Sequence, residues 1–367
     1  MAVLFVCVFL PLLALFYAIG PVAFGDLQAA DFHFAFYPAA EDILAGRQFY
    51  PVDGFVIRGA DELVIDYVYP PLVALLTIPL TVVPVGVAEV FFQLMLVAAV
   101  AATLVILGVR DWRCYGVAFL WPPVTDAVTT GNVSILLGLC AAVVWRFRDR
   151  AAVSGATLGV IIAAKIFLWP LTVWLAASRR FAAAFWSIGV AAAVLFGSWA
   201  VVGFQGLAEY PELARRLSER LSERGYTVFA LGLDLGFPQS LAWALWAGLA
   251  AALLASSAML ARRGDDRRGF VLALAAAIAC SPIVWLHYFA LLLVVVAVAR
   301  PRLAPIWFLG LPFQLFVTTG VYNGSPWQTA GVLFVAAATV GLALVPPGDR
   351  GRSQLFGRAR IVSSSPR

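Results

Sequence analysis

Residues 26–52, DLQAADFHFAFYPAAEDILAGRQFYPV, and 66–72, DYVYPPL, belong to one acidic, aromatic stretch between apolar runs. From Gly25 to Pro71 it carries eight acids (Asp26, Asp31, Glu41, Asp42, Asp53, Asp61, Glu62, Asp66) against two arginines, Arg47 and Arg58. Asp31 stands near its start, a few residues past the first apolar run. Outside this stretch the chain is strongly apolar. Of its 367 residues, 63% are hydrophobic and 12% charged, where a soluble domain carries about a quarter charged. Mean hydropathy is +0.93. Apolar runs recur from Met1 to Val345, so the chain reads as an all-α, polytopic membrane protein with no soluble domain. The first run, Met1 to Ile19, lacks a basic lead and a small-residue cleavage site, and reads as a retained span.

Arginine placement sets the expected topology. Clusters fall at Arg110/Arg113, Arg146/Arg148/Arg150, Arg179/Arg180, Arg262/Arg263/Arg267/Arg268, Arg300/Arg302 and in the tail. Loops rich in Lys and Arg stay cytoplasmic. The acidic loop within 21–85 then faces outward and both termini face inward, in the plasma membrane. The net charge of +5 follows from these clusters, so topology explains it and a nucleic-acid partner is not implied.

Several runs are shorter than the roughly 20 residues a crossing needs. Residues 70–84 are bracketed by prolines and read as a helix at the outer interface. The pairs 114–127 with 132–145, 152–164 with 166–177, and 269–281 with 284–299 each return to an arginine-bearing side. They read as hairpins whose tips stop below the outer surface. Irregular backbone at that depth is tolerated where it lines protein or a wet cavity. A rival reading makes 152–177 one long span, which reverses every later loop and breaks the arginine rule. Counting each arm, about 12 transmembrane helices are expected in one domain, 1–346. The segment PELARRLSERLSERG puts Leu213, Leu217 and Leu221 on one stripe of an amphipathic helix. The Ser-, Arg- and Gly-rich tail 347–367 reads as disordered.

Candidate chemistry gathers on the expected outer side. Asp31, at the rim of an apolar site, is a candidate general base, or else one more solvated loop acid. Lys165 is the only lysine and sits inside the run GVIIAAKIFLWP. An ionisable group there is costly and points to function. A lysine at that depth can hold a phosphate, snorkel to an interface, or pair with a buried acid such as Glu89 or Asp126. Those two acids are also candidate substrate contacts. His287, beside Trp285 at a hairpin tip, can bind a phosphate or serve structurally; His33, between phenylalanines, reads as structural. Asn132 in the tip Thr130–Ser134 can take sugar hydroxyls or cap a helix. Tyr37, Tyr69, Trp285 and their aromatic neighbours (Trp121, Trp169, Tyr50, Tyr67) can stack on sugar rings, although interfacial belts also explain membrane aromatics. The four cysteines lie in apolar runs without a CxxC pair, and no HExxH is present, so neither a disulfide nor a metal site is indicated. Together these groups suit phosphate departure from a lipid-linked sugar.

The order of short motifs is also informative. An aspartate followed by Phe precedes Tyr-x-Ala-Ala, then Leu-Ala-Gly-x-x-x-Tyr, then Tyr-Pro-Pro-Leu. Further on come Gly-Asn-(x)2-Ile-Leu-Leu, the lysine of GVIIAAKIFLWP, and Ser-Pro-x-x-Trp-x-His-Tyr. Over about 25–345 this resembles the family-87 glycosyltransferases of actinobacteria, polyprenol-phosphate-mannose-dependent α-mannosyltransferases with the multi-span GT-C fold. The resemblance implies Asp31 as general base, and Lys165 and His287 facing the donor phosphate. It implies a single inverting displacement at a polyprenyl-phosphate mannose, with a lipid-linked glycan as acceptor and no cofactor or metal. The tip reads Thr-Gly-Asn where the family commonly has Gly-Gln-x-Asn, and the spacing from Asp31 to Tyr37 is looser than the family pattern. An alternative from another class is a transporter or flippase for a lipid-linked sugar. Transporters often show internal repeats, and none is visible in this chain. A polyprenyl-phosphate arabinose donor is the alternative within the transferase reading.

Overall fold

A computed structural model describes residues 1–25, 27–51, 67–317 and 324–346. Asp26, Arg58, the acids from Asp53 to Asp66 and the tail 347–367 lie outside the described residues. Among those described, every regular element is helical.

Five helices are long and apolar enough to cross a bilayer: Ala2–Ala23, Val85–Ile106, Phe181–Val201, Gln239–Arg262 and Pro326–Leu344. Proline punctuates them as it does helix starts generally. Pro84 and Pro238 sit in extended backbone at the N-caps of Val85 and Gln239. Ser325 and Gln328 close a capping box over Pro326. A sixth span results if Pro122–Thr130 and Ser134–Arg146, bent by 120°, count as one. Among the described residues, five or six stretches are thus long and apolar enough to cross, where the expected total of about 12 counts each short arm as well. The other apolar pieces are short arms, because prolines and polar tips interrupt them.

The arms are paired as hairpins. A straight helix over 152–177 would separate its ends by about 40 Å at 1.5 Å per residue. Instead Arg180 meets Asp149 at 2.8 Å, and both Arg180 and Arg148 reach Asp266. Ala151–Ala164 lies tight against Phe181–Val201: a Cβ on Gly155 would fall 2.4 Å from the Ala183 carbonyl, and one on Gly159 2.7 Å from Val190 Cβ. Pro170–Ala177 returns beside the same helix, with Thr172 Oγ1 3.0 Å from Ser187 Oγ. Lys165, extended at φ −153°, is the tip between the two arms.

The arginine clusters share that end of the bundle. Arg267 and Arg268 donate to the carbonyls of Ala343 and Leu344 at the close of the last long helix, and Arg300 to that of Val345. Asp111, salt-bridged to Arg113, accepts from the Leu303 amide. The three hairpin tips, near 131–133, at 165 and over 280–288, therefore point to the opposite end. There the first tip lies beside both Ala2–Ala23 and Val85–Ile106, whose Gln93 donates to the carbonyls of Ala18 and Val128.

Candidate active site

Asp31 is carried on the first turn after the first long helix. The following turn, Phe32–Phe36, is a π-helix, a widened form that recurs at functional sites. Its apolar side is buried: Phe32 and Phe36 are fully enclosed, and Phe32 stacks on Phe92 at 4.7 Å. Burial of that side fixes the rotation of the turn. The carboxylate of Asp31 is left on the side facing the 131–133 break.

The break has its own local cause. Gly131 ends Pro122–Thr130 in the left-handed region at φ +66°, and a Cβ there would meet Phe32 Cβ at 2.8 Å. Glycine is needed for the turn and for the close approach alike. Asn132, fully buried, then faces Asp31. Its Oδ1 accepts from the Ser134 amide at 2.9 Å and hydroxyl at 2.7 Å. That fixes the amide orientation, since a carbonyl must face the Ser134 N–H. Nδ2 is consequently a donor, 2.7 Å from Asp31 Oδ2 and 3.3 Å from the Tyr69 hydroxyl. Gln93 steadies the same helix end by donating to the carbonyls of Ala18 and Val128.

Tyr69 stands in a framed segment. Tyr210, Tyr50 and Tyr67 donate their hydroxyls to the carbonyls of Val68, Tyr69 and Pro70, at 3.1, 2.8 and 2.5 Å. Tyr50 also stacks on Trp199 at 5.3 Å. Burial, and then the charge of Asp31, push the Tyr69 phenol well above its usual range. Tyr69 is therefore a neutral hydroxyl. Lys165 Nζ donates to it at 3.5 Å. The ammonium also lies 3.9 Å from the Tyr288 ring centroid and 5.1 Å from that of Tyr69. Such faces attract a cation yet do not neutralise it. Among the described residues no carboxylate is salt-bridged to Lys165. Asp31, Asn132, Tyr69 and Lys165 thus form one continuous polar chain drawn from four separate segments.

A second pair adjoins it. His287 Nδ1 lies 3.3 Å from Asp126 Oδ2, and Nε2 is buried with no hydrogen-bond partner. The ring packs beside Tyr288, whose own ring covers Lys165. Nδ1 thus has a carboxylate beside it, while Nε2 keeps its hydrogen-bonding capacity unspent.

Other candidates are placed elsewhere. Tyr37 is buried and its hydroxyl is spent on the Val83 carbonyl at 2.8 Å, where it ties Tyr37–Leu44 to the segment ending at Val83. Glu89 is buried and accepts from the Ala29 amide and from His33, so it faces protein. Lys165 pairs with neither Glu89 nor Asp126. Trp121 is core, donating its indole N–H to the Trp307 carbonyl. Trp285 is half-buried at the N-cap of Leu286–Leu291. Tyr50 and Tyr67 serve the Tyr69 frame. Tyr288, whose ring covers the cation, adjoins His287 in the Trp-x-His-Tyr motif, the one sequence signal that points to it. No group of three His, Cys, Asp or Glu side chains placed to hold a metal is present among the described residues.

Comparisons with known proteins identify the family. Residues 67–284, more than half the chain, match the family described as Glycosyltransferase family 87. The matched span takes in Tyr69, Asp126, Asn132 and Lys165. Two similar curated proteins carry the name polyprenol-phosphate-mannose-dependent alpha-(1-2)-phosphatidylinositol pentamannoside mannosyltransferase. One, from Mycolicibacterium smegmatis, is 28% identical over 328 residues, covering 78% of each chain. The other, from Mycobacterium tuberculosis, is 27% identical over 325 residues, covering 78% of this chain and 74% of its own. No solved structure matches significantly. With a helical bundle in which two hairpin tips bring an amide and an ammonium to the carboxylate after the first long helix, and with a family match over residues 67–284, the chain is a membrane-embedded member of glycosyltransferase family 87.

Proposed function

We propose that the enzyme moves a mannosyl residue from polyprenyl-phosphate mannose to a lipid-linked glycan, on the outer face of the plasma membrane, with inversion. Asp31 is the general base. One of its oxygens is held by Asn132, and the other is free to take the proton of the acceptor hydroxyl. The acceptor oxygen attacks the anomeric carbon, and the bond from that carbon to the phosphate oxygen breaks on the opposite face. The phosphate leaves with the bonding pair as negative charge builds on it. Lys165, which is salt-bridged to no carboxylate among the described residues, and His287, donating through Nε2, stabilise that charge. Asp126 holds the other nitrogen of His287. Tyr69 and Asn132 lie between base and cation, where sugar hydroxyls would be read. The leaving group is a phosphate, so protonation by a general acid is not required.

The observation that carries this reading is the continuous link from Asp31 through Asn132 and Tyr69 to Lys165. A base and an anion site must flank one reacting carbon, and this link sets them side by side. The mannose donor is supported by the names of the two mycobacterial relatives. The outer face is supported by the arginine-rich end lying opposite the site.

The test is transfer by the full-length protein in membranes, supplied with polyprenyl-phosphate mannose labelled in the sugar. Label should enter a lipid-extractable glycan as an α-mannoside. Polyprenyl-phosphate arabinose supplied instead should give little product. Equal or better use of arabinose would overturn the donor assignment, and movement of intact donor across the membrane without transfer would favour a flippase.

A further inference from the structure

Glu89 lies near the start of Val85–Ile106, 3% exposed at its side chain. One oxygen, Oε1, accepts from two groups of the turn that carries Asp31. The Ala29 amide reaches it at 3.1 Å and His33 Nδ1 at 2.7 Å. Those donors stand two residues before and two residues after Asp31. The His33 amide meanwhile donates to the Ala29 carbonyl at 2.7 Å, closing the turn upon itself. The turn therefore has a clamp on one side and, on the other, the contact of Asn132 with the Asp31 carboxylate.

A buried carboxylate costs several kcal/mol unless it is paired and hydrogen-bonded. At this position a hydrophobic residue would suit the surrounding apolar helix. His33 is a quarter exposed at its side chain, so the pair reaches the rim of the site. The orphan backbone N–H of Ala29 at a helix start needs an acceptor, and Glu89 supplies it from a different segment. The Phe32 ring also stacks on Phe92 of the same long helix.

We infer that Glu89, with His33, is a positioning pair that holds the Asp31 turn against Val85–Ile106 and sets where the base meets the acceptor hydroxyl. Glu89 makes no contact with substrate. The inference rests on Asp31 being the base. A misplacement of about 1 Å at a reacting group costs on the order of a hundredfold in rate, so the pair should act on turnover and not on donor affinity.

The experiment uses full-length protein, with kcat and KM for polyprenyl-phosphate mannose and for the acceptor glycolipid, and with thermal unfolding in detergent as a check on folding. Glu89→Ala should lower kcat about a hundredfold while donor and acceptor KM stay within threefold. Glu89→Gln keeps an oxygen for the Ala29 N–H and for a neutral His33, and should recover most of the lost rate. His33→Phe should give an intermediate fall in kcat, and it keeps the test open if Glu89→Ala does not fold. In the Asp31→Asn background, Glu89→Ala should cause no further loss, since the base it positions is already gone.

Glu89→Gln as inactive as Glu89→Ala would overturn the inference, because the charge itself would then be needed. So would a rise in acceptor KM at unchanged kcat, or wild-type kcat in both Glu89→Ala and His33→Phe. An active Asp31→Asn protein would instead remove the base assignment, so the two failures are told apart.

Discussion

The side-chain amide of Asn132 donates to the Asp31 carboxylate at 2.7 Å, joining residues 101 apart in sequence. The contact brings the first hairpin tip onto the turn after the first long helix. The amide's orientation is fixed from behind by Ser134, so the bond is directed and not incidental. Asn132→Ala should therefore lower transfer about ten- to a hundredfold with little change in donor KM. Asn132→Asp should be worse than alanine, because it sets a second carboxylate against the first. Both are read from initial rates with purified protein.

Gly131 makes that contact possible. Gly131→Ala asks an L-residue to hold φ +66° and drives a methyl to 2.8 Å from Phe32 Cβ. The expected cost is about 1–3 kcal/mol of stability from the backbone alone. Thermal unfolding in detergent should show a lowered midpoint, together with loss of transfer. An unchanged midpoint would mean that the tip stands further from Phe32.

Lys165 should act on the donor. Its ammonium faces Tyr69, Phe167 and Tyr288 and lacks a carboxylate partner among the described residues. Lys165→Ala should reduce kcat/KM for polyprenyl-phosphate mannose on the order of 10²–10³-fold and leave acceptor KM nearly unmoved. Equal effects on both substrates would argue for a packing role. Tyr288→Leu, which removes one cation-facing ring and keeps an apolar side chain, should cause a smaller loss in the same direction.

Asp126 and His287 should behave as a unit. If Asp126 works by orienting His287, then Asp126→Ala and His287→Ala should each weaken donor use. The double variant should be little worse than the more damaged single one. Additive losses would assign Asp126 a separate contact with the substrate.

Much of this fold is written in simple sequence features. Length and hydropathy mark Val85–Ile106, Phe181–Val201 and Gln239–Arg262 within a few residues. Arginine placement identifies the hairpin at Lys165, which the Arg180–Asp149 ion pair supports. Apolar content alone does not tell a short arm from a full span, so the expected count of about twelve helices includes pieces shorter than a crossing. At the site, a lone lysine in an apolar run and an acid just past a helix stand out. Their proximity does not, since it depends on Gly131 and Asn132 from a different segment. Aromatic residues are the least legible. Tyr37, Tyr50, Tyr67 and Trp121 look like sugar-stacking groups in sequence, yet each places its polar atom on a backbone carbonyl. The same composition serves a structural frame or a binding face, and three-dimensional pairing alone separates them.

In the proposed reaction the Asp31 carboxylate takes the acceptor's proton. The most direct measurement of that step is the rate of mannosyl transfer by Asp31→Asn, which keeps the shape and removes the basic oxygen, alongside donor binding by the same protein. Transfer should fall about 10²–10⁴-fold, with normal expression and donor binding within a few-fold of wild type. Transfer at the wild-type rate would contradict that role of Asp31.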